Sequence, residues 1–179
     1  MATINSPFEV WQRGPIADMP DLLQPVAHTL LQAKEEVNLM VTNFQDNLLW
    51  QSPEGMATAG FHLQHLSGVL DRVFTYARAD KLSLVQIAFL EEEKNPPKQN
   101  LSIQILVDRF NNQIENAVFQ LQNTNPDNLI DLRTVGRKMI ATTLIGLLFH
   151  AAEHTMRHVG QLMVTIKFVQ YQNDNSKLA

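Results

Sequence analysis

The longest helical pattern in the chain opens somewhere in residues 131–137 and runs to about Gln170. Val, Ile and Thr are common in it, yet apolar and polar residues never alternate in twos over a useful length, so the pattern is helical rather than extended. A helix this long can bury its apolar stripe only against other long helices. Three further segments supply them. In "DLLQPVAHTLLQAKEEVNLMVTNFQDNLL", Leu23, Val26, Leu30, Val37, Met40, Val41, Phe44 and Leu48 fall mostly at three- and four-residue steps. Pro25 sets the start of that helix near residues 21–24, because proline is tolerated in the first turn. A second helix is expected from about Ala57 to Arg78, carrying Phe61, Leu66, Val69, Leu70, Val73 and Phe74. A third runs from about Ser102 to Gln122, with Ile105, Leu106, Phe110, Ile114, Ala117 and Leu121 inward. "QSPEG" and "NTNPDN" read as turns.

Between the second and third helices, "ADKLSLVQIAFLEEEKNPPKQN" is longer than a hairpin turn needs. It reads as a crossover holding a short helix, with Asp80 a candidate cap and Pro96-Pro97 the stop. Residues 1–20 contain Pro7, Gly14, Pro15 and Pro20 and are expected to form an extended arm, pinned to the body by Phe8 and Trp11. No strand and no internal repeat is expected. The expected fold class is all-α: a four-helix bundle with a crossover between helices 2 and 3 and an extended N-terminal arm, one domain over residues 1–179.

Composition narrows the chemistry. The 179 residues suffice for a core without staples, and 45% of them are hydrophobic. There are no cysteines, which excludes disulfides, thiolate zinc sites and a cysteine nucleophile. A metal would have to sit on His, Asp, Glu or water. A net charge of -4 without any Lys/Arg-rich run argues against nucleic acid as a partner. The first residues lack a secretory pattern, and no apolar run approaches the roughly 18 residues of a membrane span. The expected setting is cytoplasmic, away from membranes.

All six histidines fall in the expected helices: His28, then His62 and His65, then His150, His154 and His158. Positions four apart on a helix differ by roughly 40°, so the last three form a slowly drifting stripe on one face. His150 and His158 stand roughly 12 Å apart along the axis, too far to share one ion at Zn–N bonds of about 2.0–2.1 Å. Adjacent members of the row can share one. His62 and His65, three apart, offer a further ligand if the bundle sets their face against the fourth helix. Two ligands from one helix and one from another, with an open position, is the layout of a catalytic metal site. Neither H-E-x-x-H nor Glu-x-x-His occurs, so a single histidine-bound ion remains, and Zn, Ni, Fe, Co or Mn would each suit it. The competing reading of the row is a hydrogen-bonded histidine seam that packs the bundle.

At these residues the chain resembles the DinB/YfiT-like metalloenzyme family. "GFHLQHLSGVLDRVFTYARAD" is similar to its second-helix segment and "GLLFHAAEHTMRHVGQL" to its fourth. "WQRGP" and "LLQPVAHTLLQAKEEV" resemble N-terminal segments of one DinB-like subgroup, so the likeness covers most of the chain. The resemblance implies a four-helix bundle, often dimeric, with a three-histidine divalent metal site made here of His65, His154 and His158. His62 and His150 are the surplus, each able to replace or assist a member, and His28 matches no family role. The resemblance also implies, for some members, transfer or isomerisation with a low-molecular-weight thiol as cosubstrate.

The resulting expectation is a divalent-metal-binding DinB-like protein, a metal-dependent transferase that uses a low-molecular-weight thiol and a small-molecule substrate. The alternatives are a non-catalytic metal-binding or dimeric interaction protein, and a metal-dependent hydrolase. Arg72, seven residues after His65 and on its face, is the candidate for binding an anionic substrate group, with an interhelical salt bridge as the alternative role. Gln161 is a candidate hydrogen-bond donor behind His158. Glu153 and Arg157 read as a helix ion pair, and Gly160 as a possible point of close helix approach.

Overall fold

The computed structural model describes residues 6–93 and 101–176. Five helices, α1 (Gln24–Met40), α2 (Ala59–Ala77), α3 (Leu84–Glu92), α4 (Ile103–Gln122) and α5 (Leu144–Ser176), are joined by short turns and one hairpin, β1 (Leu132–Val135) with β2 (Ile140–Thr143). The architecture is all-α. α1, α2, α4 and α5 form the bundle, and the segment carrying α3 crosses between α2 and α4. α2 packs on both α4 and α5, and so does α1. α1 and α2 are therefore diagonal, and the early His62/His65 pair comes to lie beside the late histidine row of α5.

Local chemistry sets the helix ends. A 3-10 turn at Asp21–Leu23 leads into α1 with Pro25 in the first turn. Thr58 and Ser102 accept from the backbone N–H of Phe61 and Ile105, closing the N-termini of α2 and α4. Ser83, rather than Asp80, caps α3, in a reciprocal capping box with Gln86. Asp80 instead accepts from Arg78 at 3.0 Å. The stop expected at Pro96-Pro97 lies outside the described residues. α1 ends before its apolar stripe does: Asn43 takes a left-handed φ of 69°, a conformation asparagine tolerates. Phe44 and Leu48 stay buried from the loop beyond it. Ile105, expected inward, is exposed on α4, while its neighbour Leu106 and Phe110 are buried.

Two further expectations are corrected. Phe8 and Trp11 are both largely exposed and do not pin the arm. The 3-10 turn Val10–Arg13 buries Val10 instead, whose N–H donates to Gln32 Oε1 at 2.9 Å, while Arg13 grips Glu35 through two bonds of 2.6 and 2.7 Å. His28 fastens the same arm, its Nε2 lying 3.1 Å from the Gly14 carbonyl. The second correction concerns residues 132–143, which form the antiparallel hairpin with Leu132 opposite Thr143 and Val135 opposite Ile140. α5 consequently starts at Leu144. β-Branched residues favour the pleated conformation, and Gly136 at φ 66° and Met139 at φ 50° turn the chain between the strands.

The core runs the length of the bundle, with Leu23, Leu30, Leu63, Leu66, Phe110, Ile114, Leu121 and Leu148 fully enclosed. Among the described residues no helix is long and apolar enough to cross a membrane.

Candidate metal centre

Where α2 faces α5, four imidazoles meet. His65, on the second turn of α2, points Nε2 at His154 Nε2 across a gap of 2.9 Å. The ring centroids of His65 and His158 are 4.3 Å apart, and those of His154 and His158 are 4.7 Å apart. His65, His154 and His158 each offer one ring nitrogen, all within 4.8 Å of one another. Two Zn–N bonds of about 2.0–2.1 Å at a tetrahedral angle set their nitrogens roughly 3.3 Å apart. The His65–His154 spacing is close to that value, and the His158 nitrogen lies within 4.8 Å of both. These donors fit a divalent ion such as Zn, Ni, Fe, Co or Mn.

His62 lies beside this group. It is buried, and its Nδ1 sits 3.1 Å from His158 Nδ1, so it engages the far side of that ring. His150 reaches the other end, its ring centroid 5.2 Å from that of His154 and its Nδ1 paired with Glu153 Oε1 at 2.8 Å. His28 is fastened to the arm as described above. Gln161 and Gly160 face solvent, and nothing stands within 4 Å of where a Gly160 Cβ would be.

The residue that sequence reasoning missed is Glu93. It follows α3 as its C-terminal cap, is 4% exposed, and accepts from His65 Nδ1 at 2.8 Å. That hydrogen-bond pattern assigns the proton to Nδ1 and leaves Nε2 bare, the tautomer a metal ligand needs. Arg72 holds the carboxylate in place, with bonds of 3.0 Å to Oε2 and 3.2 Å to Oε1. Arg72 is itself buried, so its guanidinium is committed to Glu93 in a chain Arg72–Glu93–His65. Gly68 makes the chain possible: a Cβ there would stand 2.7 Å from Arg72 and 2.8 Å from both Glu93 and Phe89. Phe61, one turn before His65, stacks on its ring at 5.4 Å and 14° and forms an apolar wall. The one available signal for Glu93 was the Glu91-Glu92-Glu93 run closing a crossover helix that must pass α2.

The electrostatics favour neutral rings at His62, His154 and His158. Burial, assisted by His65, lowers the His62 pKa from its ordinary 6.5 to about 4. Burial, then the neighbouring His65, His154, His62 and Arg157, does the same for His158. His154 is also lowered, again by burial first and then by His65, His150 and Arg157, against an opposing effect of Glu153. Burial alone would raise Glu93, but the bonds from His65 and Arg72 outweigh it and hold the carboxyl below its usual value. Below about 6.5 the unfolded chain takes up protons that folded His62 and His158 refuse until about pH 4. Stability of the metal-free protein is therefore expected to fall as pH drops through that window, and Glu93 adds a loss of the same sign at lower pH. Urea midpoints measured with chelator at several pH values check this; His62→Gln should flatten the slope, and a profile level down to about pH 5 would contradict it.

A cavity of about 660 Å³ lies elsewhere, between α4 and the C-terminal half of α2, lined by Phe74, Arg78, Gln113, Asn116 and Gln120 among others. No histidine lines it. His65, His154 and His158 gather instead at the α2–α5 face.

A helical bundle that gathers three histidines from two adjacent helices, one of them oriented by a buried carboxylate, defines a candidate mononuclear metal-binding protein. The chain belongs to the DinB superfamily, whose family model matches residues 11–162 and so spans all the histidines above. A search of curated proteins returned no match.

Proposed function

We propose that this protein is a metal-dependent transferase that uses a low-molecular-weight thiol as cosubstrate and acts on a small molecule. The observation that carries the reading is the composition of the ligand group: among the described residues, three histidines and no fourth side chain bring donors within reach of one ion at the α2–α5 face. Three protein ligands leave a position for an exchangeable group, as catalytic sites require and closed structural sites do not. A divalent ion held there would favour the deprotonated form of a bound thiol and so make it nucleophilic at neutral pH. The chain has no cysteine of its own, so the sulfur in such a transfer comes with the cosubstrate.

The protein's own groups have assigned tasks in this reading. Glu93 fixes the His65 proton on Nδ1 and keeps Nε2 toward the ion. Arg72 stabilises the Glu93 charge in a buried position. His62, kept neutral by burial, sits behind His158 and limits its ring rotation. Phe61 shields one side of His65 and supplies an apolar surface to a substrate. The proposal extends to a cytoplasmic homodimer, supported by the apolar Phe149, Val164 and Tyr171 that α5 exposes. The net charge of -4 supports a partner set without nucleic acid.

Titration of the Co2+-loaded protein with 2-mercaptoethanol tests the thiol role. A saturable sulfur-to-cobalt charge-transfer band is expected, absent with ethanol at equal concentration. Saturated cobalt binding with no such band at any thiol concentration would sink the thiol reading while leaving the metal site standing.

A further inference from the structure

The turn of α5 before the triad carries a second set of donors that the proposed reaction does not use. His150, Glu153 and His154 each bring one ligand atom within 4.8 Å of the other two. The His150 side chain is 48% exposed, against 16% for His65, so this set opens to solvent where the triad is more enclosed. His154 belongs to both groups. A neutral imidazole has one bare nitrogen and one N–H, so His154 can ligate a single ion at a time. Its Nδ1 is buried and has no hydrogen-bond partner among the described residues, so the ring is held only through Nε2, 2.9 Å from His65 Nε2, and that contact must give way as the ion passes.

We propose that His150, Glu153 and His154 form an outer station through which a divalent cation reaches and leaves the His65, His154 and His158 site, with His154 handing the ion across. This rests on the reading that the inner triad binds the ion. The outer station is the weaker one. Glu153 is already shared, its Oε1 with His150 at 2.8 Å and its Oε2 with Arg157 at 2.6 Å. A cation arriving there displaces the His150 contact and faces the fixed charge of Arg157. Among the described residues no cationic side chain is bonded to a ligand of the inner triad, where Arg157 acts only through space, and the Arg72 charge behind it is matched by Glu93. A weak, exposed station that shares a ligand with a stronger, enclosed one is arranged for transit rather than storage, and one ion per chain is the expected stoichiometry.

Zinc binding by chelator competition and stopped-flow loading test the proposal, with helicity checked for every variant. His65→Ala with His158→Ala should retain one weak zinc site per chain, and adding either His150→Ala or Glu153→Gln should remove it. Arg157→Gln in that same background should tighten it. In the otherwise intact chain, His150→Ala should leave the equilibrium affinity almost unchanged while slowing both loading and chelator-driven release by about tenfold, the scale of one lost contact to a charge. Residual binding indifferent to His150 and Glu153, or unchanged rates in His150→Ala, overturns the station while the inner site survives. A wild-type chain that binds no zinc overturns both.

Discussion

Alanine at both His154 and His158 is expected to abolish stoichiometric metal binding while leaving the bundle folded. Four-ligand zinc sites are worth about 10–16 kcal/mol in all, or roughly 3 kcal/mol per ligand, so losing two should weaken binding more than about 1,000-fold. The fold should tolerate the change. Both side chains are half-buried at the α2–α5 face rather than in the enclosed core, and alanine is the better helix former. Metal content by ICP-MS on untagged protein, beside far-UV circular dichroism, gives the answer. About one ion per chain in the wild type, lost in the double variant at unchanged helicity, supports the site. Undiminished metal in the variant would move the centre elsewhere in the molecule.

Replacing Glu93 by alanine should damage both stability and the metal centre. Arg72 would be left charged, buried and unpaired, and breaking one side of such a pair costs about 3–5 kcal/mol. His65 would lose the acceptor that fixes its tautomer, and losing a partner of this kind weakens metal binding by about 10–100-fold. A second variant separates the two effects. Glu93→Leu with Arg72→Met replaces the pair by apolar groups, which is close to neutral for stability in comparable cases. Its urea midpoint should recover most of the loss, yet its zinc affinity should remain low because nothing orients His65. If affinity recovered together with stability, Glu93 would be a structural partner of Arg72 and no more.

The helical period carried much of the site. His154 and His158 share a face of α5 because four residues nearly complete a turn, and His65 shares a face of α2 with His62 for the same reason; both facts are local and legible. Which of the pair faces the ion depends on how α2 is rotated against α5, which spacing does not encode. His62 comes to lie behind His158 and His65 across from His154. Glu93 was missed for a related reason. Its partner is 28 residues away, and the contact depends on where the crossover lays α3 against α2. Arg72 could be placed on the face of His65, but its bond partner arrives with the same crossover. The hairpin failed on length: strands of four residues are too short to display alternation before a strong helical pattern takes over. Gly136 between the β-branched clusters of 134–135 and 140–143 was the only local mark of it.

α3 has a further consequence for the centre. None of its helical residues is buried, and Leu84 and Val85 are almost fully exposed, yet the cap residue Glu93 is among the most enclosed carboxylates a chain can hold. The helix is tethered by polar bonds, Glu93 to His65 and Arg72, Gln64 to the Glu93 carbonyl and Gln86 to Thr75, rather than by an apolar face. An element with so little buried surface belongs to the part of a fold that opens at the lowest free energy. An opening of α3 would withdraw the carboxylate and free the His65 proton to move between nitrogens. The affinity for an ion held there would then be an average over a closed and an open helix, open to tuning from the α3 surface.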